Sequence, residues 1–175
     1  MAILQWIQNL PFSASIAESD SLWWGYAWWL FIHAVGMGLT AGLGFIICLR
    51  LLGVGQQIPV SSFRILFRIF WIGFYINLLS GTILFMTDAT GIARVWELYA
   101  KLFCLALALV AMSRLRRFID SDGSDGAIPP GVRKTAVACI VLWLAVITSG
   151  RLIAYAVEAN GTVVSAADHS HADAL

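Results

Sequence analysis

Four ionisable residues interrupt the long apolar stretches of this chain: His33, Asp88, Lys101 and Arg151. Such side chains are costly in hydrocarbon, and they commonly mark functional sites of membrane proteins. With a helical rise of about 1.5 Å per residue, each lies about 20–30 Å from the basic residues at the other end of its apolar stretch. All four therefore lie at one level of the membrane, where antiparallel helices would bring them together. At this level, Asp88 and Lys101 could also be solvated at the outer interface or snorkel toward it.

His33 is the only histidine in these stretches. Gly36, Met37, Thr40 and Gly44 share its helix face, and small residues there let another helix or a flat cofactor approach the backbone. The pattern predicts either an axial ligand of haem b or a hydrogen bond to a quinone. Since the stretches offer one histidine, the haem would be five-coordinate, use Met37 or Met86 as its second ligand, or bridge two chains. A packing histidine and a metal ligand remain alternatives.

The basic residues Lys101 and Arg151 complete the predicted cofactor site. They would face haem propionates, while Arg151 has Asp88, Glu97 or a lipid phosphate as alternative partners. The predicted cofactor-binding set is His33, Met37, Lys101, Arg151 and Tyr155.

Two weaker features concern metals and thiols. His169 and His171 form a His-x-His pair between Asp168 and Asp173, which predicts either loose Cu or Zn binding or a solvated tail. The cysteines lack a CxxC pairing and are expected to be buried, inert thiols; they are Cys48, Cys104 and Cys139.

The composition indicates which elements position these residues. Of 175 residues, 60% are hydrophobic and 12% charged, whereas soluble domains carry about 25% charge. Apolar stretches near the ~20 residues that cross a bilayer predict an all-α integral membrane four-helix bundle. The predicted spans cover about 22–49, 65–87, 96–113 and 132–157, in a single domain over 1–175.

The basic residues predict the orientation of the bundle. Eight of the eleven Lys and Arg residues lie in the loops around 50–68 and 114–134, which places both loops in the cytoplasm and both termini outside. Residues 2–10 predict a short interfacial amphipathic helix that Pro11 ends. Residues 158–175 are expected to form a flexible outer tail.

The motifs resemble an uncharacterised family of small four-helix bacterial inner-membrane proteins over roughly residues 22–157. The resemblance is carried by His33 with its glycines, Arg50-Leu51-Leu52-Gly53, Gly81 to Phe85 before Asp88-Ala89, Lys101-Leu102, Pro129-Pro130 and Gly150 to Tyr155. It implies a bacterial inner-membrane location and carries no assigned activity. The chain also has a looser likeness to CopD-type copper-resistance membrane proteins, which is based on His and Met residues within the membrane. This chain has one such histidine, His33.

These observations predict a redox-associated membrane subunit that binds haem b or quinone near the outer face. The subunit is expected to associate with a larger complex or with further copies of itself. The chain is not expected to be an enzyme on its own. One alternative is a cofactor-free structural or assembly subunit, and the other is a small metal-handling or transport protein. The small net charge of +1 gives no indication of a nucleic-acid partner.

Overall fold

The computed structural model describes residues 2–19, 21–121 and 127–172, with side chains up to residue 159. This part of the chain is all-helical, and four helices are long and apolar enough to cross a membrane. The helices are α1 (Ala2–Gln8), α2 (Pro11–Ala17), α3 (Tyr26–Met37), α4 (Leu43–Leu52), α5 (Arg64–Thr87), α6 (Ala89–Ile92), α7 (Trp96–Asp120) and α8 (Pro130–Ala172). A π-helical turn at Gly38–Gly42 joins α3 to α4, and a 3-10 turn at Val60–Phe63 precedes α5.

The four spans differ from the predicted ranges mainly at their ends. The first covers Tyr26–Leu52 rather than 22–49, because extended backbone at Gly25 separates the preceding turn from the helix. The second covers Val60–Thr87 and the fourth covers Pro130–Ala159. The third continues to Asp120, since basic side chains after residue 113 favour the end of a helix dipole without breaking the helix.

The last helix also extends beyond the predicted span. Its backbone continues through residues 158–172, where a flexible tail was predicted. The side chains from residue 160 onward, including those of His169 and His171, lie outside the described part of the structure. The predicted metal contacts of these two histidines therefore stay predictions.

The two ends of the bundle are packed differently. At the end that carries Arg50, Arg64 and Arg116, which we call the basic end, α4 packs on α8. Large side chains from all four spans fill a common core there. The fully buried members include Ile47, Leu51, Phe70, Met112 and Trp143. At the opposite end, which we call the tryptophan end because Trp23, Trp24 and Trp96 are exposed there, α3 packs chiefly on α5 and α7 on α8. The two helix pairs leave a cavity between them.

The two small-residue stripes of the first span have different neighbours. A Cβ at Gly36 would lie 2.7 Å from the Asn77 backbone nitrogen, and one at Gly44 would lie 2.8 Å from Trp143 Nε1. That stripe is therefore a helix-packing face. The second stripe consists of Ala34, Gly38 and Gly42, and a Cβ at Gly38 or Gly42 would meet nothing within 4 Å in the described chain.

The N-terminal helices dock on the tryptophan end of the bundle. Thr90 donates to Gln8 Oε1 from its backbone nitrogen at 3.2 Å and from its hydroxyl at 2.8 Å. The Ser13 hydroxyl donates to the Met86 carbonyl at 2.6 Å, and Ile16 is fully buried. Residues 2–10 thus form α1 and a following turn, and Pro11 begins α2, a position where its missing N–H costs nothing.

Candidate functional site

A cavity of about 290 Å³ lies between the two helix pairs. It contains two of the predicted site residues, His33 from α3 and Lys101 from α7. The remaining lining is mostly apolar and comes from α5 and α7; it comprises Phe74, Asn77, Leu78, Gly81, Thr82, Phe85, Leu98, Leu102 and Leu105. Leu78 and Leu102 are more than half exposed, so the cavity opens on a surface that lipid would cover.

His33 is held by the backbone and side chains of α5. Its Nδ1 lies 3.1 Å from the Asn77 carbonyl oxygen and 3.1 Å from Ser80 Oγ. In return, the Asn77 amide donates to the His33 carbonyl oxygen at 2.9 Å. The imidazole therefore has a fixed position, with one ring nitrogen used for anchoring and Nε2 without a bond to the described chain.

Gly81 provides the space that the imidazole occupies. A Cβ at this position would lie 2.9 Å from His33 Cε1 and 3.3 Å from Nδ1. Any side chain here would therefore push the ring or separate α3 from α5. The ring lies against the bare backbone of α5 and at the edge of the cavity.

Lys101, from the third span, lines the same cavity as His33. Its aliphatic stem and Nζ lie beside Gly150 of α8, where a Cβ would be 3.4 Å from Nζ. Among the described residues the ammonium has neither a hydrogen-bond partner nor an ion pair. A partly buried cation with an open coordination shell can donate hydrogen bonds to a ligand oxygen.

The other members of the predicted cofactor-binding set lie elsewhere. Met37 packs against the core of the basic end, because it follows His33 by one turn on the side facing that core. Arg151 is exposed, and its guanidinium carbon lies 5.5 Å from the ring centroid of Tyr155, which is itself 57% exposed. Neither Arg151 nor Tyr155 lines the cavity, and both side chains are exposed on α8.

The two acidic residues at this end have local surroundings of their own. Asp88 caps the short helix α6, where its carboxylate accepts from the Gly91 backbone nitrogen at 3.1 Å. Glu97 has one buried carboxylate oxygen without a hydrogen bond in the described chain. The ion pairs found among the described residues join Arg64 and Arg116 to Asp120 at the basic end, so the expected pairing of Arg151 with Asp88 or Glu97 is not observed.

Three residues that complete the site were not in the predicted set: Asn77, Ser80 and Gly81. Asn77 and Ser80 are polar residues in the middle of the second span, and Gly81 directly follows Ser80. A spacing of three and four residues places them on one helix face. That polar and small-residue face was the available signal for a histidine partner.

Among the residues with described side chains, the thiols and the acidic groups form no second site. Cys48, Cys104 and Cys139 are free, and Cys48 and Cys139 are buried in the core of the basic end. The described residues contain no group of three or more His, Cys, Asp or Glu side chains that could hold a metal ion. Comparisons of the chain with family models, curated proteins and solved structures gave no match.

Proposed function

We propose that this chain is a redox-associated membrane subunit that binds the ring of a quinone in the cavity between His33 and Lys101. The observation that carries this proposal is the meeting of one anchored imidazole and one unpaired ammonium in an apolar cavity open to lipid. Binding sites for small molecules are typically apolar, with a few polar groups that fix orientation. A lipid-soluble ring with two oxygen substituents has that chemistry.

The size and ligand set of the cavity favour a single ring over haem b. A volume of about 290 Å³ is just below the range for ligand pockets, which begins at about 300 Å³. Neither of the candidate second haem ligands, Met37 and Met86, lines the cavity, and Met37 packs against the core of the basic end. The imidazole and ammonium are better matched to the oxygens of a quinone-class ring.

The charge distribution supports an orientation with the cavity toward the outer face of a bacterial inner membrane. Arg50, Arg64 and Arg116 lie at the basic end, which the positive-inside rule assigns to the cytoplasm. Exposed tryptophans at the other end are typical of a membrane interface. In this orientation both termini are outside and α1 lies at the interface. Reporter fusions at each terminus test the assignment, and a cytoplasmic terminus would contradict it.

The open stripe of Ala34, Gly38 and Gly42 supports a role within a larger complex. Stripes of this kind allow close packing between membrane helices, and this one is uncovered in the described chain. A quinone bound at the outer level would exchange electrons with a centre in another subunit. The same stripe favours the second candidate, a cofactor-free structural or assembly subunit.

Titration of the purified protein with a short-chain ubiquinone, in its oxidised and reduced forms separately, tests the proposal, with tryptophan fluorescence as the readout. Wild type is expected to bind, and His33→Ala and Lys101→Met are each expected to weaken the binding of at least one form by about tenfold, as expected when one hydrogen bond of about 1.4 kcal/mol is lost. Arg151→Gln is the matched control, because this basic residue lies at the same level but outside the cavity.

Three results would contradict the quinone assignment. Saturable binding that is unchanged in both cavity variants would place the ring elsewhere. A Soret band in the purified wild type that is lost in His33→Ala would establish haem. A stoichiometric protein partner, together with absence of ring binding, would establish the structural role.

A further inference from the structure

We infer that the cavity selects the reduced, hydroxyl-bearing form of its ring ligand, a quinol, over the oxidised quinone. This inference rests on the proposed function and concerns which form of the ligand is bound. It follows from the position of one proton on His33, which the hydrogen bonds to the second span determine.

The Asn77 carbonyl fixes the proton on Nδ1. A carbonyl oxygen only accepts hydrogen bonds, so the 3.1 Å contact between Nδ1 and this oxygen requires an N–H on Nδ1. The carbonyl belongs to the backbone of α5 and cannot turn away without breaking the helix. The Asn77 side chain also donates to the His33 carbonyl at 2.9 Å, which keeps the two helices in this register.

Ser80 provides a second acceptor for the same proton. Its hydroxyl hydrogen is directed to the Ile76 carbonyl, at 2.7 Å. The Ser80 oxygen, 3.1 Å from Nδ1, is therefore also an acceptor toward His33. Both neighbours of Nδ1 favour the same tautomer.

A neutral imidazole with its proton on Nδ1 has a lone pair on Nε2. Nε2 has no bond to the described chain, and the ring lines the cavity. Lys101 presents only N–H donors to the same cavity. The cavity therefore combines one acceptor with one donor.

Quinone and quinol differ in how they satisfy this pair. A quinone carbonyl accepts from Lys101 but has no hydrogen for Nε2, which leaves two acceptors facing each other in an apolar site. A quinol hydroxyl donates to Nε2, and its oxygens still accept from Lys101. An unpaired polar group in an apolar site is unfavourable, so the quinol is the better match.

Separate titrations with decyl-ubiquinol, under anaerobic conditions, and decyl-ubiquinone test this inference. Wild type is expected to bind the quinol about tenfold more tightly, as for one additional hydrogen bond. Lys101→Met is expected to weaken both forms and keep the ratio, since the lysine donates to both. His33→Gln is expected to abolish the ratio, because an amide offers either a donor or an acceptor.

A second measurement on the wild type is independent of the variants. Nitrogen-15 spectra of histidine-labelled protein, with the His33 signal assigned by its loss in His33→Gln, are expected to show a protonated Nδ1 and an unprotonated Nε2. Equal affinities, tighter quinone binding or a proton on Nε2 would overturn the inference while leaving ring binding intact. Failure to bind either form would overturn the proposed function itself.

Discussion

Adding one methyl group at Gly81 would displace His33 without removing any of its polar partners. In Gly81→Ala the new Cβ would lie 2.9 Å from His33 Cε1. Carbon atoms in contact are usually about 3.5 Å apart or more. The imidazole, or the whole of α5, must therefore shift by about 0.6 Å, the difference between these two distances.

The magnitude follows from the two contacts of the Nδ1 hydrogen and from the clash. Both acceptors lie at 3.1 Å, and a shift of about 0.6 Å away from them lengthens each contact to about 3.7 Å, beyond hydrogen-bonding range. Loss of this shared hydrogen bond, together with the overpacking, costs about 1–3 kcal/mol. The higher helix propensity of Ala returns about 1 kcal/mol, so the free energy of unfolding is expected to fall by about 0–2 kcal/mol.

Gly42→Ala is the matched control, because the same methyl group meets nothing within 4 Å in the described chain. It gains the helix propensity without the clash. The two variants are therefore expected to differ in stability by about 1–3 kcal/mol, as measured by unfolding in mixed detergent micelles. Gly81→Ala is also expected to lower quinol affinity, and Gly42→Ala to leave it unchanged. Equal stability and equal affinity of the two variants would refute the proposed positioning of His33 by Gly81.

Two further perturbations test other contacts of the bundle. Gly44→Ala would place a Cβ 2.8 Å from Trp143 Nε1. In the same micelle assay, the free energy of unfolding of this variant is expected to be about 1–3 kcal/mol lower than that of Gly42→Ala. Equal stability of the two variants would contradict the packing of α4 on α8. Gln8→Ala removes the acceptor of both Thr90 hydrogen bonds and is expected to increase amide hydrogen exchange in α1 by about tenfold. Gln5→Ala, at an exposed position on the same helix, is the control and is expected to have no effect. Similar exchange in both variants would contradict the docking of α1.

The depth of each polar residue was readable from the sequence, because the helical rise converts residue number into height. His33 and Lys101 were predicted to lie at one level, and the structure places both on one cavity. Rotation about the helix axis was not readable in the same way. Arg151 and Tyr155 lie at that end of the bundle too, yet they point outward, because the packing of α8 on α7 turns Gly150 toward Lys101.

The two glycine stripes of the first span illustrate the same limit. Helical spacing places small residues on both stripes, so either stripe was suitable for close contact with another helix. The Gly36 stripe is the one that packs against other helices, because Asn77 and Trp143 fit against it. Spacing within one helix contains no information about which side chains of another helix lie opposite, so the face used for packing was decided by the tertiary structure.

By itself, the sequence determined that the chain has four helices able to cross a membrane, because hydrophobic length and scarcity of charge are properties of each segment alone. It also determined the asymmetry between a basic end and a tryptophan-rich end. Only the tertiary structure decided that His33 is anchored by Asn77 and Ser80, and that it shares a cavity with Lys101. Those contacts depend on the register and rotation of one helix against another, which non-local packing sets.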